Sequence, residues 1–111
     1  MVSSGPGTWA QVSGLMKNSE WDKVFIIGDE FAKKFTHDKK FEFIKVDLSA
    51  TLMNLKDELS KKLKDKFQGL EVALSMASGS GKEHMALMSA LINLPMGIRF
   101  AALTKDGVVD L

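Results

Sequence analysis

The chain contains no cysteine, which excludes disulfides, thiolate catalysis and cysteine-ligated zinc or iron–sulfur centres. Its two histidines are too few for a histidine-based metal cage, so we expect neither a metal site nor a cofactor. The chain also lacks an excess of charge of either sign, because 15 basic and 14 acidic residues give a net charge of +1. No global field therefore attracts a long nucleic acid or an anionic membrane, and any basic site must be local.

Long apolar runs are missing as well. The longest cover about four residues, as in Val24–Ile27, whereas a membrane-spanning helix needs about 20. The N-terminus lacks the basic and apolar regions of a secretory signal, so we expect a cytoplasmic protein. What is present is ordinary: 111 residues, 45% of them apolar and 26% charged, are typical of one folded domain spanning residues 1–111.

Apolar periodicity predicts a regular alternation of strands and helices. Two segments, 23–28 and 70–76, are apolar at nearly every position, which is typical of strands covered on both faces. The sequence Lys105-Asp106-Gly107 is typical of a hairpin turn. Strands are expected at 1–4, 23–28, 41–48, 70–76, 98–103 and 108–111.

Helices are expected in the intervening segments. One begins near Thr8, a short one follows Asp29, and the longest is capped by Ser49 or Thr51. The last, 83–94, is apolar almost all round. A sheet can bury only one apolar stripe of a helix. The second apolar stripe of this helix therefore predicts a partner, most simply another copy of the chain.

This order predicts an α/β protein with a three-layer, doubly wound Rossmann-like fold. Its six-stranded sheet is mostly parallel, in the order 3-2-1-4-5-6, with an antiparallel C-terminal edge strand. In such folds ligands bind beyond the carboxyl ends of the strands, where the order reverses between the first and the fourth.

Small, glycine-bearing loops follow both of these strands, at 3–8 and 78–82. Glycines let backbone amides approach an anion, a helix N-terminus adds exposed N–H groups, and Lys82 adds a full positive charge. The loops therefore predict a site for a phosphate-bearing ligand. The expected ligand-binding residues are Ser3, Gly5, Gly7, Thr8, Ser78, Gly79, Ser80 and Gly81.

Two familiar phosphate motifs do not fit these loops. A Walker loop needs glycine and a hydroxyl residue where this chain has Met76 and Glu83, so nucleoside triphosphate hydrolysis is not expected. A dinucleotide fingerprint needs three spaced glycines, and the first loop supplies only Gly5 and Gly7.

Three features carry a resemblance to a known family: the predicted topology, the small-residue first loop, and Gly79-Ser80-Gly81-Lys82 with the helix after it. In these features the chain resembles the CRISPR-associated Rossmann fold (CARF) domains of antiviral defence. The resemblance implies a homodimer in which these loops from two subunits surround a cyclic oligoadenylate. Stand-alone members include ring nucleases, which cut this ligand without a metal when its 2′-hydroxyl attacks the adjacent phosphorus. Carried over, this implies that Lys82, with the amides of Ser80 and Gly81, stabilises phosphoryl charge. Ser4 or Thr8 would orient the phosphate, and His84 would transfer a proton.

Two other hypotheses stay open beside the ring nuclease. One is a non-catalytic homodimeric sensor of a nucleotide or another small anion, and the other is a structural dimer whose glycine loops only make turns. Lys82 is then an ordinary first-turn residue and His84 a polar residue packed at the helix start. Glu83 counts against phosphate, because its carboxylate repels an anion unless it points away or pairs with Lys82.

Overall fold

The computed structural model describes residues 6–67, 71–75, 80–94 and 96–111. Helices and short strands alternate along these segments, as the periodicity predicts. The elements are α1 (Pro6–Lys17), β1 (Phe25–Gly28), a 3-10 helix (Phe31–Lys34), β2 (Glu42–Lys45), α2 (Leu52–Leu63), β3 (Glu71–Leu74), α3 (Gly81–Ile92), β4 (Gly97–Thr104) and β5 (Gly107–Asp110).

The described strands form two separate sheets. In the first, β1 and β2 are parallel, with Phe25 opposite Glu42. In the second, β3 and β4 are parallel, with Ala73 opposite Arg99, and β5 returns antiparallel along β4. The turn into β5 needs a glycine, because Gly107 has a φ of 104°, in the left-handed region.

The prediction of one mostly parallel six-stranded sheet is therefore wrong. Two strands belong to one sheet only where their backbones lie about 4.8 Å apart and exchange hydrogen bonds, and β1 and β3 do not pair. Residues of both strands line one cleft. The strand expected at 1–4, which the predicted order puts between these two, lies outside the described residues.

Helices pack on both faces of the strands. On one face, Val12 and Met16 of α1 pack with Ile26, and on the other face Leu87 and Leu91 of α3 pack with Ile27. Neighbouring residues of β1 thus point to opposite layers, as the pleat of a strand requires. Both faces of β1 are apolar because each is covered by a helix.

The second helix, α2, anchors the larger core. Thr51 caps it as one of the two predicted caps, since its side chain accepts a hydrogen bond from the Asn54 N–H at 3.3 Å. Leu55, Leu59 and Leu63 form a fully buried stripe. Its lysines lie outside this stripe, which is the arrangement that amphipathic spacing predicts.

Candidate functional site

Five of the predicted site residues lie outside the described segments, so their placement stays a prediction. They are Ser3, Ser4, Gly5, Ser78 and Gly79. Gly7 and Thr8 belong to the first turn of α1, where the structure describes the backbone alone. Whether the loops 3–8 and 78–82 meet at one site is accordingly untested. The rest of the predicted site, which is Ser80, Gly81, Lys82 and His84, lies at the start of α3.

The N-terminus of α3 is closed by its own side chains. The Ser80 hydroxyl accepts a hydrogen bond from the Glu83 N–H at 3.4 Å, and the Glu83 carboxylate accepts one from the Ser80 N–H at 2.5 Å. Together they form a capping box, in which Glu83 is only 8% exposed. A carboxylate of the chain itself therefore already faces the positive end of the helix.

Lys82 contacts protein atoms as well. Its ammonium donates hydrogen bonds to the carbonyl oxygens of Leu48 and Ala50, both at 2.8 Å. These carbonyls belong to the loop between β2 and α2, so Lys82 ties the start of α3 to that loop. Two of its three donors are used in this way, which reduces its capacity to hold a phosphate.

Asp47 lies in the same loop and is held by Ser49. Its carboxylate accepts hydrogen bonds from the Ser49 hydroxyl at 2.6 Å and from the Ser49 N–H at 3.0 Å. These bonds, with a smaller contribution from the positive charge of Lys82, lower the pKa of Asp47 below its ordinary value. The carboxyl end of β2 therefore carries a stable negative charge close to Lys82.

Charged residues beside the carboxyl ends of β1 and β2 also pair with one another. The Glu30 carboxylate lies 2.7 Å from the Lys45 ammonium, and this hydrogen-bonded pair lowers the pKa of Glu30 and raises that of Lys45. Asp29 accepts a hydrogen bond from the Ala32 N–H at 3.0 Å. Among the residues that the structure describes, no cluster of three or more acidic or histidine side chains is arranged to hold a metal.

A second candidate site is a cleft lined by described residues of both sheets, which we call the central cleft. It has a volume of about 580 Å³, and both β1 and β3 contribute to its lining. Its lining is mainly apolar and comes from both helix layers. The helical residues lining it are Val12, Leu15 and Met16 of α1, Leu63 of α2, and Leu87 and Leu91 of α3.

Ion pairs lie at the polar rim of the central cleft. Arg99 binds Glu71 at 2.9 Å, pairs with Asp110 and lies over the Trp21 ring, 5.7 Å from its centroid. Lys66 binds Glu42 at 2.5 Å. The ionic partners of Arg99, which the sequence alone does not identify, are therefore on the strands flanking β4.

The sequence does not point to the central cleft, because no motif marks it. The available signal is the pair of segments 23–28 and 70–76, whose continuous apolar character predicts strands that are covered on both faces. Their described parts form β1 and β3, which belong to different sheets and both line the central cleft. This signal does not locate the cleft by itself, because the sequence does not show which strands pair with each other.

Comparison of the chain with protein-family models, with curated proteins and with solved structures finds no match. The similarity to CARF domains thus stays a prediction from the sequence. Within the described segments, none of the helices has the length and apolar character that crossing a membrane requires.

Proposed function

We propose that this protein is a non-catalytic binding module and that the central cleft is its ligand site. The observation that carries the proposal is a cleft of about 580 Å³ with a mainly apolar lining, to which both helix layers and the strands β1 and β3 of the two sheets contribute. Ligand sites in proteins are concave, mostly apolar and of this size. The start of α3 has less capacity to bind a ligand, because its charged groups already bind protein atoms.

The fluorescent dye anilinonaphthalene sulfonate tests this function, because its emission rises in apolar sites. We expect saturable enhancement with the folded protein at one dye per chain. Ala73→Phe, on the wall of the cleft, should reduce it, while the matched Ala102→Phe, equally half-buried but outside the cleft, should not. Absence of enhancement, or equal enhancement in both variants, contradicts the proposal. Cooperative unfolding of each variant excludes dye binding to a molten state.

Self-association is a second part of the proposal, and the outer face of α3 supports it. Met85 and Ile92 are 59% and 64% exposed, and they lie seven residues apart on one face of the helix. Exposed apolar stripes of this kind mark interaction surfaces. We expect light scattering to give about twice the 12.2 kDa chain mass, and Met85→Glu to shift it toward the monomer. A monomer at micromolar concentration contradicts this part.

Binding and cleavage of a cyclic oligoadenylate stay predictions from the CARF resemblance. They are tested by incubating the protein with cyclic tetra-adenylate in the presence of EDTA. Linear products from the wild type but not from Lys82→Ala would support a metal-independent ring nuclease and overturn the non-catalytic proposal. Intact cyclic ligand would exclude the ring nuclease, and calorimetry with the same ligand then tests for binding without chemistry.

A further inference from the structure

The C-terminal end of α1 is held by a side chain from the loop between the 3-10 helix and β2. The last carbonyls of a helix have no partner within the helix, so they take donors from elsewhere. The Lys39 ammonium donates hydrogen bonds to the carbonyl oxygens of Lys17 at 3.4 Å and of Ser19 at 3.2 Å. A cation is also favoured at this negative end of the helix dipole. Lys39 therefore closes the end of α1 from outside the helix.

His37 of the same loop contacts both α1 and Lys39. Its Nε2 lies 3.2 Å from the Ser13 carbonyl oxygen, and its Nδ1 accepts a hydrogen bond from the Lys39 N–H at 3.0 Å. A carbonyl oxygen only accepts and a backbone N–H only donates, so these partners assign the ring proton to Nε2 and leave Nδ1 without one. The contacts therefore require the neutral imidazole.

Protonation of His37 removes the acceptor that the Lys39 N–H uses. Histidine ordinarily gains its second ring proton between about pH 8 and pH 5. Here that proton is added to Nδ1, where it faces the Lys39 N–H, so two donors oppose each other. The bond from Nε2 to Ser13 is compatible with the charged ring, but the bond that fixes the backbone of Lys39 is not.

A charged ring also meets neighbours that are mainly positive. The charged residues on the segments around it are Lys17 and Glu20 at the end of α1, Lys33 and Lys34 of the 3-10 helix, and Asp38, Lys39 and Lys40 of its own loop. Most of them are lysines, so protonation adds repulsion between the ring and Lys39 to the loss of the hydrogen bond.

We propose that His37 and Lys39 form a pH-sensitive latch on α1, in which the neutral ring positions Lys39 over the end of the helix and protonation releases it. This inference rests on the proposed function of the central cleft, because Leu15 and Met16, close to the end of α1, line that cleft. Release of the latch loosens this wall, so ligand binding in the cleft should weaken in acid. His37 is a positioning residue, since it acts through Lys39.

Titrations with anilinonaphthalene sulfonate at about pH 8 and about pH 5.5 test the latch. The reference variant is His37→Asn, because the side-chain oxygen of asparagine also accepts from the N–H two residues on and does not titrate. We expect the wild type to lose at least about threefold in dye affinity at the lower pH, relative to the change in His37→Asn. His37→Ala has no acceptor, so it should bind weakly at both pH values.

A matched pair of lysine variants tests the second part of the latch. Lys39→Met removes the ammonium but keeps the N–H that donates to His37. At about pH 8 it should bind the dye as weakly as the wild type does at about pH 5.5, and its affinity should respond to pH no more than that of His37→Asn. Lys40→Met, exposed on the same loop, should behave like the wild type. Circular dichroism at both pH values checks that each variant stays folded.

NMR separates the latch from the proposed function. As the His37 ring titrates, the backbone resonances of Lys17, Ser19 and Lys39 should shift with it in the wild type and stay in place in His37→Asn. Resonances that do not follow the ring overturn the latch, as does a pH dependence of dye affinity that is the same in His37→Asn. If the dye binds at neither pH, the proposed function fails, while joint shifts of the ring and the end of α1 still support the latch.

Discussion

The N-terminus of α3 and the central cleft are two candidate sites of opposite character. The first has the residues that sequence reasoning associates with anions. However, Ser80 and Glu83 hydrogen-bond to each other, and Lys82 hydrogen-bonds to the loop between β2 and α2. The second has no motif, yet its walls are mainly apolar and come from both sheets and both helix layers. Residue type alone is thus a weaker guide to binding than the contacts that each side chain already makes in the fold.

The largest effect expected in this comparison concerns the floor of the central cleft. Leu87 is 1% exposed and belongs to the larger core, so Leu87→Ala should lower the free energy of unfolding by about 2–5 kcal/mol. Met85→Ala, two residues away and exposed, should change it by less than about 0.5 kcal/mol. Urea denaturation measures both. Equal losses would mean that the cleft floor is not packed as described.

A smaller loss is expected from Lys82→Met, which keeps most of the aliphatic stem and removes the ammonium. The two hydrogen bonds to Leu48 and Ala50 disappear, and we expect a loss of about 1–3 kcal/mol in the free energy of unfolding. Lys105→Met, at an exposed turn position, is the control and should have little effect. If Lys82→Met unfolds like wild type, the ammonium is free for a ligand and the contrast between the two sites disappears.

Removing the N-cap of α3 should lower the free energy of unfolding by a still smaller amount. Ser80→Ala deletes the hydroxyl that accepts from the Glu83 N–H, and caps of this kind contribute about 1 kcal/mol. Ser60→Ala within α2 is the matched control. Thermal unfolding of the two variants should therefore differ, with the lower midpoint in Ser80→Ala. Identical midpoints would show that the capping box does not close this end of the helix.

The smallest expected effect is on the titration of Asp47. Ser49→Ala removes a hydrogen bond to the carboxylate, so the pKa of Asp47 should rise toward its ordinary value of 3.8. Because the folded protein holds this pKa below the unfolded value, the associated stability is present above that value and is lost as pH falls through the folded pKa. The stability difference between wild type and Ser49→Ala should therefore vanish in strong acid. Carboxyl NMR titration, with Ser89→Ala as control, measures the shift; an unchanged pKa would contradict the account.

Local features of the fold were predictable from the sequence. The stripe of Leu55, Leu59 and Leu63, the cap at Thr51 and the turn at Gly107 each depend on residues close in the chain. Their positions follow from helical spacing, hydrogen bonding by a hydroxyl and the conformational freedom of glycine. None of these features requires knowledge of distant contacts.

Strand pairing and the site were not predictable in this way. Phe25 and Ala73 lie far apart in sequence, and their apolar segments favour buried strands without specifying which edges meet. Likewise, Lys82 reaches carbonyls more than thirty residues before it, at Leu48 and Ala50. Composition shows that a lysine is present but not that its hydrogen bonds are already used.

Hydrogen–deuterium exchange of adjacent backbone amides in β1 tests the central claim most directly. The Ile26 amide points to β2, while those of Phe25 and Ile27 point into the central cleft. We predict slow exchange at Ile26 and faster exchange at its two neighbours. Equal protection of all three amides would show that this side of β1 is already paired, and would contradict a central cleft that is open to a ligand.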